Sequence, residues 1–542
     1  MAVLMHPFLN RHPYAQWILR LLPFGALVLL VMIPMDRRGG NALETAMAVV
    51  MALACLTTKD LWNWRAIATA AVGVLLGWAI LYLCSTFEGA NPQALGHQLR
   101  SRVYILWMCL WWLALPCLVP LALRLLRPRR RNLWRQWSNI LVALLCFHVL
   151  WCTATSAWAV NTRIAYTQLR EDLYPFAILF VILVRAGRIL RVSPQPLQLL
   201  RRTLPLIVVG IPLLTVTAMA VVLGFYHLGW FQDYAREHQW VHVDHLGTDS
   251  QLDRLVFPFT HHNRTAYYLL ISGLAAIAAG LASGQRKLRV LGTLVLIACA
   301  LLTWFTLTRG ALLAWVAAAS VAGLLAVPRR RRQILGGMAL LLPVAFVLLP
   351  VDARNHIAET ARILQAKPGG DNTINSRIAL WQITLDSIRR RPVTGFGYGT
   401  GSFEATMRRE FPQVVNNLGG SSHAHNVVLE VTAESGLPAA VSLTLLTMIL
   451  AVSVAAIWRQ LPPRSRLSQT LAIGLVLLAA IMVYGISNYP LRRGLGAYTV
   501  FLLGLLVALA DHGQALVNRG LLTRLPRPAP RPEVGNPVPD NQ

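Results

Sequence analysis

Runs of about 18–22 apolar residues recur along this chain from Trp17 to Ala510. Each is long enough to cross a hydrocarbon layer of roughly 30 Å as a helix. Lipid offers the backbone no hydrogen-bonding partner, so a segment of this kind must satisfy its own N–H and C=O groups by coiling. The composition agrees, with 56% hydrophobic residues and only 13% charged ones, against about 25% charged in an ordinary soluble domain. The sequence therefore predicts an all-α polytopic membrane protein of roughly twelve to fourteen transmembrane helices. Candidate spans fall at 17–34, 42–57, 65–84, 103–126, 139–160, 173–190, 204–224, 265–282, 288–305, 310–327, 333–350, 437–458, 468–487 and 495–511.

A formal charge of +28 would suit nucleic acid if the cations shared a soluble face. They do not. They cluster between apolar runs, as in "RPRRRNLWR" (Arg127–Arg135), "RAGRILR" (Arg185–Arg191), "GQRKLR" (Gly284–Arg289), "PRRRR" (Pro328–Arg332) and "RQLPPRSR" (Arg459–Arg466). Short cytoplasmic loops carry this excess, so topology accounts for the charge and no nucleic-acid partner is expected. Placing these loops inside leaves the remaining loops outside and both termini in the cytoplasm, with Arg37 and Arg38 as the exception. The seven cysteines all lie in apolar runs, with no CxxC, which points to buried thiols rather than a disulfide framework. The first run is followed by "MDRRGG" (Met35–Gly40) and not by a small-residue cleavage site, so it is expected to be a first membrane helix.

The chain thus divides into N-terminal transmembrane helices (1–224), a first outer loop (225–263) and transmembrane helices with an arginine segment (264–350). A large outer loop with a histidine segment (351–436), C-terminal transmembrane helices (437–511) and a proline-rich, disordered cytoplasmic tail (512–542) follow. Both outer segments are too long for simple connectors. The larger contains "NSRIALWQITLDSIRRRP" (Asn375–Pro392), an amphipathic helix with Ile378, Trp381, Ile383, Leu385 and Ile388 as its apolar positions. It suits either a surface-lying helix or a cap over a site. "GFGYGTGSF" (Gly395–Phe403) lacks the GxxxxGK[ST] of a phosphate-binding loop and reads as a tight turn that needs positive φ.

Three residues stand at the outer boundary once this topology is drawn: Arg264, where the first loop enters a span, Arg309, at a turn between two spans, and His425, where the second loop meets an apolar run. A single arginine there often only snorkels. Two arginines beside a histidine fit one chemistry: guanidinium groups grip a diphosphate bidentately, and an imidazole takes a proton from an attacking hydroxyl. On a helical wheel extended back to His425, Glu430 and Glu434 point about 140–180° away from it. The group that orients the imidazole is then expected from another segment, or from Asn426 or His423. The triplet Arg389, Arg390 and Arg391 suits either acceptor phosphates or a solvated face. A metal site is not expected. His238 and His242 are spaced i, i+4, but there is no HExxH, and solvated loop histidines explain the pattern.

The segment "HNVVLEVTAESGL" (His425–Leu437) fits H[NSQ]-x9-G[ILM], and so resembles the O-antigen ligase/polymerase superfamily. "LTRGALLAW" around Arg309 resembles that family's S/TRGA-type helix start, and "RIALWQITLDSIRRRPVTGFGYGTGSF", which begins at Arg377, resembles its R…W…P…G-G-G-F loop. The similarity covers roughly residues 260–460. It implies a GT-C-like, metal-independent enzyme without cofactors in the bacterial inner membrane, with its active site facing the periplasm. The implied donor is an undecaprenyl-diphosphate-linked glycan held by Arg264 and Arg309, with His425 as base and Arg377 as a supporting residue. Three activities share the pattern: a ligase that acts on lipid A–core, a polymerase of repeat units and a protein O-oligosaccharyltransferase. The single long capping loop and its arginines favour the ligase, and the short C-terminal region disfavours the third. Outside the family, a lipid or glycan transporter would carry charges near the midplane, where Arg185 and Arg188 come closest.

Overall fold

A computed structural model of the chain describes residues 137–190, 194–229, 232–237, 241–246, 250–259, 261–325, 373–412, 423–489 and 493–521. The expected spans at 17–34, 42–57, 65–84, 103–126 and 333–350 and the tail from 522 onward lie outside these residues, whereas 512–518, expected to belong to the disordered tail, are helical. The described residues begin with helices α1 (Trp137–Thr155), α2 (Thr162–Gln168), α3 (Tyr174–Leu190), α4 (Pro194–His227) and α5 (Gln232–Glu237). A β-hairpin follows, then α6 (His262–Ser283), α7 (Arg286–Phe305), α8 (Arg309–Leu325), α9 (Thr373–Arg390), α10 (Thr400–Glu410), α11 (Val427–Gln460), α12 (Arg466–Ser487) and α13 (Arg493–Asn518). Each candidate span within the described residues is occupied by a helix. Among the described residues, seven helices are long and apolar enough to cross a membrane, and α8 is apolar but shorter.

The protein is a polytopic helical membrane protein, with one β-hairpin among the described residues. β1 (Val241–Leu246) pairs antiparallel with β2 (Ser250–Leu255), Val241 opposite Leu255. His242 therefore stands on a strand, which removes the helical i, i+4 geometry with His238, a residue outside those described.

Buried apolar side chains bind the helices together. Tyr267, Tyr268, Tyr484, Tyr498 and Phe501 join α6, α12 and α13 in one core. Leu141, Phe180, Leu450, Leu478 and Val507 join α1, α3, α11, α12 and α13 in another. Glycines set the closest approaches: a Cβ at Gly292 would run into the Ala276 carbonyl, and one at Gly474 into Leu506. Large apolar side chains such as Leu214, Val452 and Leu301 face outward, as lipid-contacting positions do in a helical bundle.

Helix α12 orders the two ends of the bundle. Its first residue, Arg466, lies against Gly284 in the arginine-rich turn between α6 and α7. Its last turn reaches the opposite end, where Gly310 at the start of α8 lies against Ser487. Two of the arginine-rich loops thus share one end, and the start of α8 lies at the other.

Outside the long helices, α9 and α10 form a small core with the beginning of α11, built from Leu380, Ile383, Phe403, Met407, Ala424 and Ala433. The apolar face of the amphipathic helix is packed on protein, as a cap requires. Its register differs from the expected one: Leu380 is a core residue, whereas Leu385 is 44% exposed.

Candidate active site

The histidine segment owes its shape to the start of α11. Asn426 is the N-cap, its side-chain oxygen accepting from Val428 N at 3.0 Å and Leu429 N at 3.1 Å. Asn at this position satisfies the otherwise orphaned amides of the first turn. Asn426 is therefore committed to the helix end rather than to the imidazole. His425 lies just before the cap with φ of +52°, a left-handed conformation that costs a non-glycine residue roughly 1–2 kcal/mol. The helical wheel drawn back through His425 consequently does not apply to it. The His423 and His425 rings lie 4.1 Å apart, centroid to centroid. Between them Ala424 is fully buried, and its carbonyl accepts from Trp381 Nε1 at 2.8 Å. α9 thus fixes the His-x-His turn from outside.

Nine residues of helix separate Asn426 from Gly436, where α11 breaks, with φ of +77° and ψ of 175°. The membrane helix proper starts beyond that break, at Leu437, as the span at 437–458 anticipates. The glycine loop fills the break. Phe396 N donates to Ala433 O and Gly397 N to Glu434 O, both at 2.9 Å, and Leu437 N donates to Pro392 O at 2.7 Å. Gly395, Gly397 and Gly399 all have positive φ (63°, 102° and 105°), as the turn reading requires. A Cβ at Gly436 would strike the Val393 carbonyl, and one at Gly397 the backbone of Ala159.

Around this lock sit buried carboxylates. Glu430 and Glu434 are 0% and 3% exposed, and Asp172 is 7% exposed. Tyr398 of the glycine loop is half-buried, and desolvation first, then its interactions with Tyr489, Cys152, Asp172 and Glu434, push its hydroxyl pKa well above 10. Trp151 Nε1 donates to Ser435 O at 2.7 Å, which ties α1 to the same break.

The arginines reach the same end of the bundle by independent routes. Arg264 lies in the first turn of α6. That turn is held by His261, whose ring accepts from Asn263 N at 3.2 Å, by Thr265 donating to Val256 O, and by Arg254 of β2 contacting His262 Nε2 at 3.1 Å. The Tyr484 hydroxyl of α12 donates to Asn263 O at 2.6 Å, and the Tyr484 phenol interacts electrostatically with both Arg264 and Arg377. Arg309 opens α8 after a turn in which Leu307 has φ of +50°. The next residue, Gly310, lies against Ser487 and Asn488. Val427, two residues after His425, packs on Gly485, its Cγ2 3.4 Å from a Cβ built there.

The starts of α6 and α8, which carry Arg264 and Arg309, and the start of α11 beside the His425 turn therefore converge on one short stretch, Tyr484 to Asn488. Arg377 is half-buried, and burial lowers its pKa while Tyr484 opposes that shift. Tyr484 is the residue that composition and motif reading pass over, because in the sequence it is one more member of an apolar run.

The triplet Arg389, Arg390 and Arg391 lies elsewhere. Arg389 and Arg377 are twelve positions apart on α9, about 18 Å at 1.5 Å per residue. Arg389 pairs with Asp386 at 2.9 Å and Arg390 with Glu410 at 3.0 Å, both arginines exposed, and Arg391 stands over the Phe396 ring at 5.2 Å. Among the described residues, no three His, Cys, Asp or Glu side chains group as metal ligands would.

No curated protein matches the chain. Residues 293–444, from within α7 to the middle of α11 and including Arg309, Arg377 and His425, match the Wzy_C family model, described as O-antigen ligase.

Proposed function

We propose that this protein is an O-antigen ligase of the bacterial inner membrane, with its active site on the periplasmic side. The convergence of the helix starts that carry Arg264 and Arg309, and of the start of α11 beside His425, on the last turn of α12 carries this reading. The domain match supports glycosyl transfer of the ligase or polymerase type. The arginine-rich turns at the other end of α12 support the orientation, since such loops stay in the cytoplasm.

In this mechanism Arg264 and Arg309 hold the diphosphate of an undecaprenyl-linked polysaccharide. A hydroxyl of the lipid A–core sugar attacks the anomeric carbon, and His425 accepts its proton. The new C–O bond forms as the bond to the diphosphate oxygen breaks, and the electron pair leaves with the undecaprenyl diphosphate. Both guanidinium groups stabilise the charge that grows there, the part a divalent cation plays in many glycosyltransferases. One displacement inverts the anomeric configuration. The interfacial position suits two lipid substrates whose sugars project just beyond the membrane.

The test is a lipopolysaccharide gel from a strain lacking the protein, beside a strain rescued with His425→Ala. The ligase reading expects bare core in both, with polymer retained on its carrier. Core bearing one repeat unit would instead identify a polymerase, and an unchanged ladder would remove both.

A further inference from the structure

We propose that His261 and His262 are positioning residues for Arg264: as neutral imidazoles they hold the first turn of α6 in the form that presents Arg264 to the donor, and their protonation releases that turn. The inference rests on the donor assignment above. It adds a dependence on pH and gives the β-hairpin a part in the site.

Hydrogen bonding assigns the state of both rings. His261 caps α6, its Nδ1 accepting from Asn263 N at 3.2 Å. Arg254 Nη1 lies 3.1 Å from His262 Nε2. A guanidinium only donates, so this ring nitrogen accepts. A protonated imidazole has no acceptor left, and each ring is therefore neutral in this arrangement. The two rings stack with centroids 4.4 Å apart.

Arg254 is a fixed partner. It is buried, as are Leu255 and Val256 after it. Leu255 packs in the core shared by α4, α6 and α7, and Val256 O accepts from the hydroxyl of Thr265, the residue after Arg264. The amides of Arg264 and Thr265 donate to His261 O at 3.0 and 3.2 Å. The backbone of Arg264 is thus bracketed by groups that belong to the two histidines or to the end of the strand they contact.

A proton on His262 would set a second cation against Arg254. One on His261 would take the acceptor from Asn263 N and put positive charge at a helix N-terminus, where the macrodipole opposes it. The other charged and titratable groups at this turn, among the described side chains, are Arg264 on α6 itself and Tyr484 of α12, which donates to Asn263 O, with Arg377 of α9 interacting with Tyr484. The turn is therefore held while both rings are neutral and released as pH falls through their titration. Protonation of His423 or His425 acts in the opposite sense, since it adds positive charge beside the diphosphate.

Binding of undecaprenyl diphosphate to the full-length protein in nanodiscs, followed from about pH 8 to about pH 5.5 across the imidazole range, tests this. The double variant His261→Asn, His262→Gln keeps an acceptor at each place but takes no proton. It should match the unaltered protein at about pH 8 and bind roughly tenfold more tightly than it at about pH 5.5. Titration of the ligand and of His425 is common to both proteins, so parallel curves overturn the proposal. His262→Leu, which offers Arg254 no acceptor, should bind weakly even at about pH 8, and full affinity there also overturns it. Arg264→Gln separates the two readings: undiminished binding by that variant refutes the donor assignment, whatever the histidines do. Should the double variant not fold, amide hydrogen exchange on the unaltered protein decides. Corrected for the intrinsic effect of pH, protection across 262–266 should fall in acid while that of α7 is kept, and constant protection in both overturns the proposal.

Discussion

Two polar regions meet at the start of α11, and they are built in opposite ways. At the Gly436 break the contacts are mostly backbone to backbone, with Phe396, Gly397 and Leu437 all donating to carbonyls of the facing segment. Glycines make this possible, because any side chain at Gly436 or Gly397 would occupy space held by main chain. At the end of α12 the polar groups are charged side chains delivered from α6, α8, α9 and the histidine turn, and Arg377 has no counter-ion among the described residues. The first region satisfies itself and holds the shape. The second gathers cationic side chains at the place where we propose that an anionic substrate binds.

The contrast breaks most visibly at Gly436. Gly436→Ala adds a left-handed penalty to a clash with the Val393 carbonyl, so it should cost more than about 3 kcal/mol and empty the membrane of folded protein. A well-folded, normally melting variant would show that the lock is dispensable. His425→Ala removes no packing of this kind. It should lower transfer by about 10²–10⁴-fold while the thermal unfolding curve stays near that of the unaltered protein. Trp381→Phe joins the two regions. It strips the donor from the buried Ala424 carbonyl, which should cost about 1–3 kcal/mol and lower transfer more modestly than His425→Ala, because the left-handed His425 loses its support. Equal losses in the two variants would mean that the turn's shape matters as much as the imidazole. Arg389→Gln is the smallest change. Its exposed pair with Asp386 is worth at most about 1 kcal/mol, and donor affinity should not move. A large fall in affinity would return the triplet to the site.

Much of the site was legible because its spacing has local causes. In "HNVVLEVTAESGL", Asn426 caps a helix and Gly436 ends it, so the interval between them is the length of one short helix. The glycine loop was legible for the same reason, since its φ angles demand glycine whatever surrounds it. The amphipathic helix was legible as an element but not in register. Leu380 and Leu385 both look available for burial, and only the packing of α9 on α10 and α11 decides between them.

The sequence by itself determined that the chain crosses the membrane as helices, because a long apolar run has no other way to satisfy its backbone in lipid. It also marked the arginines and histidine as out of the ordinary, since charged and titratable groups at the edge of a span are costly to keep without a use. Only the tertiary structure decided which of the segments that carry them come together. Tyr484 and Gly485 carry no signal along the chain, yet helices α6, α8 and α11 converge on that turn through side-chain contacts hundreds of residues apart in some cases, as from Tyr484 to Asn263, 221 residues away. Pattern reading follows local backbone preference and periodicity. Which helix ends meet is settled by how the glycine-lined faces pack, and that is a property of the whole bundle.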